Sequence, residues 1–304
     1  MNLKNWMKWM TAGVLTLGLA ACNETAKPTP ETPKEETSEM TLGEVFNKAM
    51  ETSKETKSMS ADIDMLQTVD YPKENIKLNT ATDMKMDLTI DPLALYQTGT
   101  MKLEGDGAEA GKPMNIESYM TENGFYMKDP EKGQWIKMPQ EMYGQIMKFS
   151  KQQADPKEQL KQLAQFKDDF TFEQTKDDYV LKLNAKGDKF NQLIESQMSQ
   201  MTQGAQGKEA EAMMKEMMKG MKVENSIYTI YLDKKTFQTK KMDVEMDMTM
   251  DMEGNQMKTS QTMSALYSNF NQVKPITVPE EVVKNAQEIQ LPPAGNSPAP
   301  SSKQ

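Results

Sequence analysis

The chain of 304 residues contains no histidine, no arginine and a single cysteine, Cys22. Each absence removes chemistry. Without histidine, and with Cys22 committed to another role, histidine-based nucleophile pairs and the usual zinc sites cannot be assembled. Without guanidinium, planar two-point recognition of carboxylate or phosphate is lost, because lysine offers only a point charge. One cysteine excludes an intrachain disulfide, so a packed core must hold the fold together. Tryptophan is scarce, with Trp6, Trp9 and Trp135 the full set. The formal charge of −9 argues against nucleic acid as a partner, since phosphate binding needs concentrated basic residues. No cofactor signature is present, and the expectation is a protein that is not an enzyme.

What is present begins at the N-terminus. Lys4 and Lys8 form a positive stretch, Thr11 to Ala21 is a short apolar core, and Leu19-Ala20-Ala21 leads into Cys22. This is the layout of an export signal. The apolar core is shorter than the about 20 residues a bilayer span needs. The arrangement resembles a bacterial lipobox, which implies removal of residues 1–21, a fatty acyl group such as palmitate on the Cys22 sulfur, and a mature chain at the outer face of the cell membrane. Losing Lys4 and Lys8 and no acid takes the charge from −9 to −11. Attachment to an anionic surface would then rest on the lipid and not on electrostatics.

Residues 22–40 are rich in Thr, Glu, Lys and Pro and are expected to be a disordered tether holding the domain off the membrane. Residues 291–304 read as a disordered tail. Between them, 41–290 are expected to form one domain. Thr41 and Glu44 have capping-box spacing, and Leu42, Val45, Phe46, Ala49 and Met50 follow at helical intervals. After Ser58 the period becomes two, with Ala61, Ile63 and Met65 against Asp62 and Asp64, then Met84, Met86, Leu88 and Ile90 against charged neighbours. Leu95–Leu103 and Met114–Thr121 continue the alternation. Asn123-Gly124 signals a two-residue hairpin, and Asp129 to Gly133 a further turn. A helical insertion is expected around Met142–Phe149 and after Asp155-Pro156, and another over 188–220. Phe170–Glu173, Asp178–Asn184, Ile227–Leu232, Phe237–Met252 and Met257–Phe270 read as strands, and Thr277, Pro279 and Glu280 start a short terminal helix.

This order, with the Gly124-Phe125-Tyr126-Met127 hairpin and the closing Pro275 to Val282 segment, resembles the Met- and Lys-rich lipoproteins of Gram-positive bacteria classed as a domain of unknown function. It is similar in plan to the lipoprotein-carrier and mycobacterial lipid-carrier fold. The resemblance spans about Leu42 to Ala286. It implies an α+β protein whose curved antiparallel sheet is an unclosed half-barrel with helices packed on the concave face. It also implies a lipid or lipoprotein acyl chain as ligand, and it transfers no catalytic residue.

The 30 methionines give the alternation its chemistry. Met242, Val244, Met246, Met248, Met250 and Met252 share one strand face, and thioethers can re-pack around variable guests. Met84, Met86, Met246, Met248 and Met250 are therefore candidate ligand-lining residues, although the same face also suits a core wall packed on helices. Met213, Met214, Met217, Met218 and Met221 form a second cluster whose soft sulfurs would suit Cu(I), or whose spacing is an amphipathic packing face. An envelope protein partner without a small ligand is the remaining alternative.

Overall fold

The computed structural model describes residues 24–30, 32–33, 37–105, 112–140, 143–144, 147, 166, 169–185, 220–252 and 255–288. The signal segment, Cys22, the tail, nearly all of the two helical insertions and the residues Met213, Met214, Met217 and Met218 lie outside them.

The strand-period segments become one sheet. In chain order the elements are β1 (Lys27–Pro28), α1 (Leu42–Glu55), β2 (Ser58–Tyr71), β3 (Ile76–Ile90), β4 (Leu93–Gly105), β5 (Met114–Thr121), β6 (Gly124–Lys128) and β7 (Trp135–Lys137). Then come β8 (Phe170–Gln174), β9 (Asp178–Asn184), β10 (Met221–Asp233), β11 (Thr239–Met252), β12 (Asn255–Ser268), α2 (Glu280–Asn285) and β13 (Gln287–Glu288). The strand order is β1-β8-β9-β10-β11-β12-β2-β3-β4-β5-β6-β7-β13. Two antiparallel meanders, β2 to β7 and β8 to β12, are thus fused by pairing the last strand of the second to the first strand of the first, with Met263 opposite Met65. The result is a large, curved, unclosed and mostly antiparallel sheet with few helices.

Among the described residues, parallel pairing is confined to the two edge strands, β1 with β8 and β13 with β7. They cover the outer backbone groups of the sheet, which would otherwise offer a template for another chain. Gly99 marks a point of close approach. A Cβ there would lie 2.2 Å from the Asp83 carbonyl oxygen, so only glycine lets β4 press this closely on β3. The hairpin after β5 pairs Thr121 with Gly124. Its two-residue turn is therefore Glu122-Asn123, one position earlier than Asn123-Gly124 suggested. Gly124 is instead the first residue of β6, at φ 149, where a side chain would meet the Tyr126 ring at 3.1 Å.

Helix α1 begins as its sequence predicts. The Glu44 N–H donates to the Thr41 hydroxyl at 3.3 Å and the Thr41 N–H donates to the Glu44 carboxylate at 2.8 Å, satisfying donors that a helix start leaves open. The Thr41 N–H, and after it the Thr41 hydroxyl, which also donates to the Glu44 carboxylate, hold that carboxyl below its ordinary pKa. One face of α1 then packs on the sheet. Leu42 and Val45 join Phe172, Tyr179, Leu181 and Leu232 in the principal core cluster.

The same cluster takes in part of the segment 22–40, which the sequence reads as a disordered tether. Ala26 is 4% exposed and belongs to that core. The buried Gln174 amide donates to the Ala26 carbonyl at 2.6 Å and the Ser38 carbonyl at 3.1 Å, and accepts from the Ser38 N–H at 2.7 Å. Tyr179 donates its hydroxyl proton to Ser38 at 2.6 Å. The physical reason is that a polar segment poor in apolar groups can still dock when its backbone completes an open sheet edge. Residues 24–30 and 37–40 are part of the fold.

Candidate functional site

Paired residues in antiparallel strands share a face, and alternate residues along a strand return to it. Following the register across the sheet sorts the strand methionines without exception, among those whose side chains are described. Met242 pairs with Ala265, Ala265 with Ile63, and Ile63 with Met84. One row along, Val244, Met263, Met65, Thr82, Met101 and Met114 align. Nearer the start of β2, Met59 aligns with Leu88, Leu95, Met120 and Phe125, and Met86 with Ala61 and Gln97. Met221, Met246, Met248, Met250, Met257 and Met127 fall on the same side.

The opposite face carries the intervening charges. Lys85 lies 4.0 Å from Asp62 and Lys128 2.9 Å from Glu117. The alternation read in the sequence thus resolves into a methionine face and a charged face.

The five methionines expected to line a ligand all lie on the methionine face, but in two groups. Met84 and Met86 sit on β3, three strand spacings from β11, or about 14 Å. Met246 and Met248 pack against a cluster of Phe166, Leu183, Ala185 and Val223, so at this end the face forms a core wall. Met250 pairs with both Met221 and Met257. Leu88, Met120 and Phe125 pack on the buried Leu93, Tyr143 and Met147 at the other end of the sheet.

Open volume lies elsewhere on this face, between α1 and the sheet. A cleft of about 330 Å³ is bounded by Ala49, Thr52, Ser53 and Thr56 of α1, and by Met59, Ile90, Ile230, Met242, Tyr267 and Phe270. That volume is at the lower end of small-ligand pockets, about 300–1,000 Å³. No ionisable group other than Tyr267 lines it. Burial raises the pKa of the Tyr267 hydroxyl, so it stays neutral and can only donate or accept a hydrogen bond. Much of the wall is apolar, and its polarity comes from the hydroxyls of α1, from Tyr267, and from Gln238 and Thr239 at the start of β11. Such a lining suits an acyl chain or similar guest, and it offers no nucleophile–base pair.

Sequence reading had missed Met59, Ile90, Ile230, Tyr267 and Phe270 as a group. Each belongs to a recognisable alternation, yet they meet only because β12 pairs with β2. No local signal encodes that pairing.

Comparison with known proteins now adds a class. The chain belongs to a family of unknown function, DUF6612, matched over residues 41–287. Among solved structures it is similar to LprF from Mycobacterium bovis, at 12% identity and a TM-score of 0.37, covering 77% of this chain and 94% of that one. It is also similar to a structure described as lipid–protein interactions in lipovitellin, at 6% identity and a TM-score of 0.29, covering 74% of this chain and 26% of that one. A β-barrel-like protein of another family of unknown function, DUF1849 from Brucella abortus, shares 11% identity at a TM-score of 0.22, over 70% of this chain and 99% of that one. Likenesses at this level carry no argument about ligands. No curated protein matches the sequence.

Proposed function

We propose that this chain is a non-enzymatic binding protein for an apolar ligand, a lipid or an acyl chain, anchored by Cys22 to the outer face of the cell membrane. The observation that carries the reading is the segregation of the strand methionines to one face, with an apolar cleft opened on that face by α1. A wall of flexible thioethers adapts to chains of different shape at little cost. In this reading Met242 and Met59 form the floor of the cleft, while Met246 and Met248 serve as packing.

The docked residues 24–30 support a further feature of this reading. Thr25 is bridged to Thr41 at the start of α1, and it lies three residues beyond Cys22. Three residues span at most about 11 Å. An acylated Cys22 would therefore hold the start of α1 close to the lipid surface, with the cleft along the second half of that helix, from about 12 Å further on.

The test is native mass spectrometry and lipid extraction on the full chain purified from its own membranes, as wild type and as Met242→Glu. Burying a carboxylate in an apolar cleft costs several kcal/mol unless the group is wetted. The expected result is co-purifying lipid with wild type and a folded, lipid-free variant. A wild-type protein that carries no lipid, or a folded variant that keeps its full load, refutes the assignment. Capture of an envelope protein by a lipid-free wild type would support the alternative of an assembly factor.

A further inference from the structure

A larger cavity lies on the charged face and plays no part in the apolar cleft. After β12 the chain crosses that face as a strap, residues 269–279, before α2 and β13 reach the far edge of the sheet. Beneath it is a groove of about 530 Å³, bounded by Ser60, Asp87, Tyr96 and Tyr119 of the sheet and by Asn269, Gln272, Lys274 and Thr277 of the strap.

Register explains its shape. Ser60, Asp87, Tyr96 and Tyr119 form one row across β2, β3, β4 and β5. Tyr96 and Tyr119 stack with ring centroids 4.5 Å apart and planes inclined by 28°, and Trp135 continues the array at 5.7 Å from Tyr119. Because Tyr119 covers one face of the Tyr96 ring, the other face is turned toward the shorter Asp87 and Ser60. The row therefore drops from a flat aromatic wall to a low polar floor.

The roof is fixed. The Asn271 N–H donates to the Ser58 carbonyl at 2.8 Å, the Val273 N–H to the Ser58 hydroxyl at 3.2 Å, and the Asn271 side chain accepts from the Lys57 N–H at 2.6 Å. A groove held in this way loses little freedom when it is filled. On the floor, Ser60 donates to one Asp87 oxygen at 2.5 Å and accepts from the Asn269 amide at 3.2 Å.

We infer that this groove binds a neutral sugar residue, stacked on Tyr96 and hydrogen-bonded by Asp87, Asn269, Gln272 and Lys274. An aromatic face is electron-rich and attracts the positively polarised C–H groups of a pyranose. The surrounding carboxylate, two amides and ammonium supply acceptors and donors together, which is what a set of hydroxyls requires. An anion would meet Asp87, and a quaternary ammonium would meet Lys274 and find one open ring face in place of a cage. The inference is independent of the apolar cleft, since the two sites lie on opposite faces of the sheet.

Saturation-transfer difference NMR on the full chain tests it, with glucose, galactose, N-acetylglucosamine and their disaccharides. A second arm measures binding of the full-length Cys22→Ser chain, which lacks the proposed anchor, to phosphatidylglycerol vesicles with and without a diglucosyl diacylglycerol. Saturation of sugar C–H protons is expected, weakened at least tenfold by Tyr96→Leu and by Gln272→Ala and unchanged by Leu66→Ala, which alters an exposed residue of the same face. Gln272→Ala, on the strap, keeps the test open should Tyr96→Leu fail to fold. Binding in both arms would point to a free glycan, and binding only to glycolipid vesicles would identify a headgroup; either supports the site. No signal with any sugar, displacement by choline, or undiminished binding in the folded variants would overturn it.

Discussion

Replacing Gln174 by leucine should release the N-terminal segment from the fold. The side chain is 1% exposed, and its amide makes three hydrogen bonds, to the Ala26 carbonyl, the Ser38 carbonyl and the Ser38 N–H. Leucine is close in size and apolar, so the change removes the bonds without opening a large hole. A net hydrogen bond is worth roughly 0.5–1.5 kcal/mol, so three give about 2–4 kcal/mol, and more where a backbone group is left buried and unpaired. For a domain of this size each kcal/mol shifts Tm by roughly 2–4 °C. A fall of about 5–15 °C is expected on those slopes. Hydrogen exchange localises the effect. The Thr29 N–H, which donates to the Gln174 carbonyl at 2.9 Å, and the Leu42 N–H, which donates to the Glu24 carbonyl at 3.0 Å, should both lose protection while β10 and β11 keep theirs. A variant with unchanged Tm and unchanged exchange would show that Gln174 does not hold the segment, and amides of Thr29 and Leu42 already unprotected in the wild type would show that it is a tether after all, with the short reach from Cys22 to the sheet failing too.

Other outcomes follow from the same structure. Cys22→Ser should shift the chain from the detergent phase to the aqueous phase on partitioning, and equal retention of wild type and variant would exclude a lipid anchor at this residue. Gly99→Ala should destabilise the β3–β4 pair, because the new Cβ would sit 2.2 Å from the Asp83 carbonyl oxygen; overpacking of this kind costs about 1–3 kcal/mol by urea denaturation. Alkaline stability should fall between pH 10 and about 12. Burial first, then Tyr96, push the Tyr119 pKa up to about 12, and burial pushes Tyr143 to about 12. The unfolded chain therefore ionises first, and stability present below pH 10 is lost as the folded pKa is passed. In acid the sign reverses. Backbone N–H groups of Lys132 and Glu131 depress Asp129, and the Thr41 cap depresses Glu44, so their stabilisation is present above the unfolded pKa and disappears as pH falls below it. Tyrosinate absorbance and circular dichroism across the two ranges check both arms.

Legibility divides by the distance over which a feature is encoded. Local signals were sufficient for α1, whose start is a bonded capping box at Thr41 and Glu44. They also sufficed for the turn at Asp233, whose carboxylate accepts from the Lys235 and Thr236 N–H groups at 2.9 and 2.8 Å. Period-two alternation was enough to assign the charged and methionine faces, because a strand face is fixed by parity alone. It could not say which stretch of that face is open. Met246 and Met242 are equivalent in sequence, four residues apart on one strand, yet Met246 packs beneath Phe166 and Leu183 while Met242 borders a cleft. The difference arises from where α1 and the β12–β2 seam fall, both contacts between residues far apart in the chain.

The N-terminal segment shows the opposite kind of failure. Composition assigns residues 22–40 to disorder because they bury little, and apart from Ala26, Thr32, Ser38 and Met40 side chains are not what hold the described part of them. Backbone groups do, through the β1–β8 pairing and the Gln174 amide. Hydropathy cannot report such docking, since it scores side chains and every residue carries the same amide. The consequence reaches the function. A domain on a long tether could sample the space above a membrane, whereas one docked within three residues of the anchor proposed at Cys22 would work at the surface. For a cleft lined by Met59, Met242 and Tyr267, the proposed position would set the supply of guests: molecules that partition into the bilayer would reach it, and those dissolved at low concentration in water rarely would.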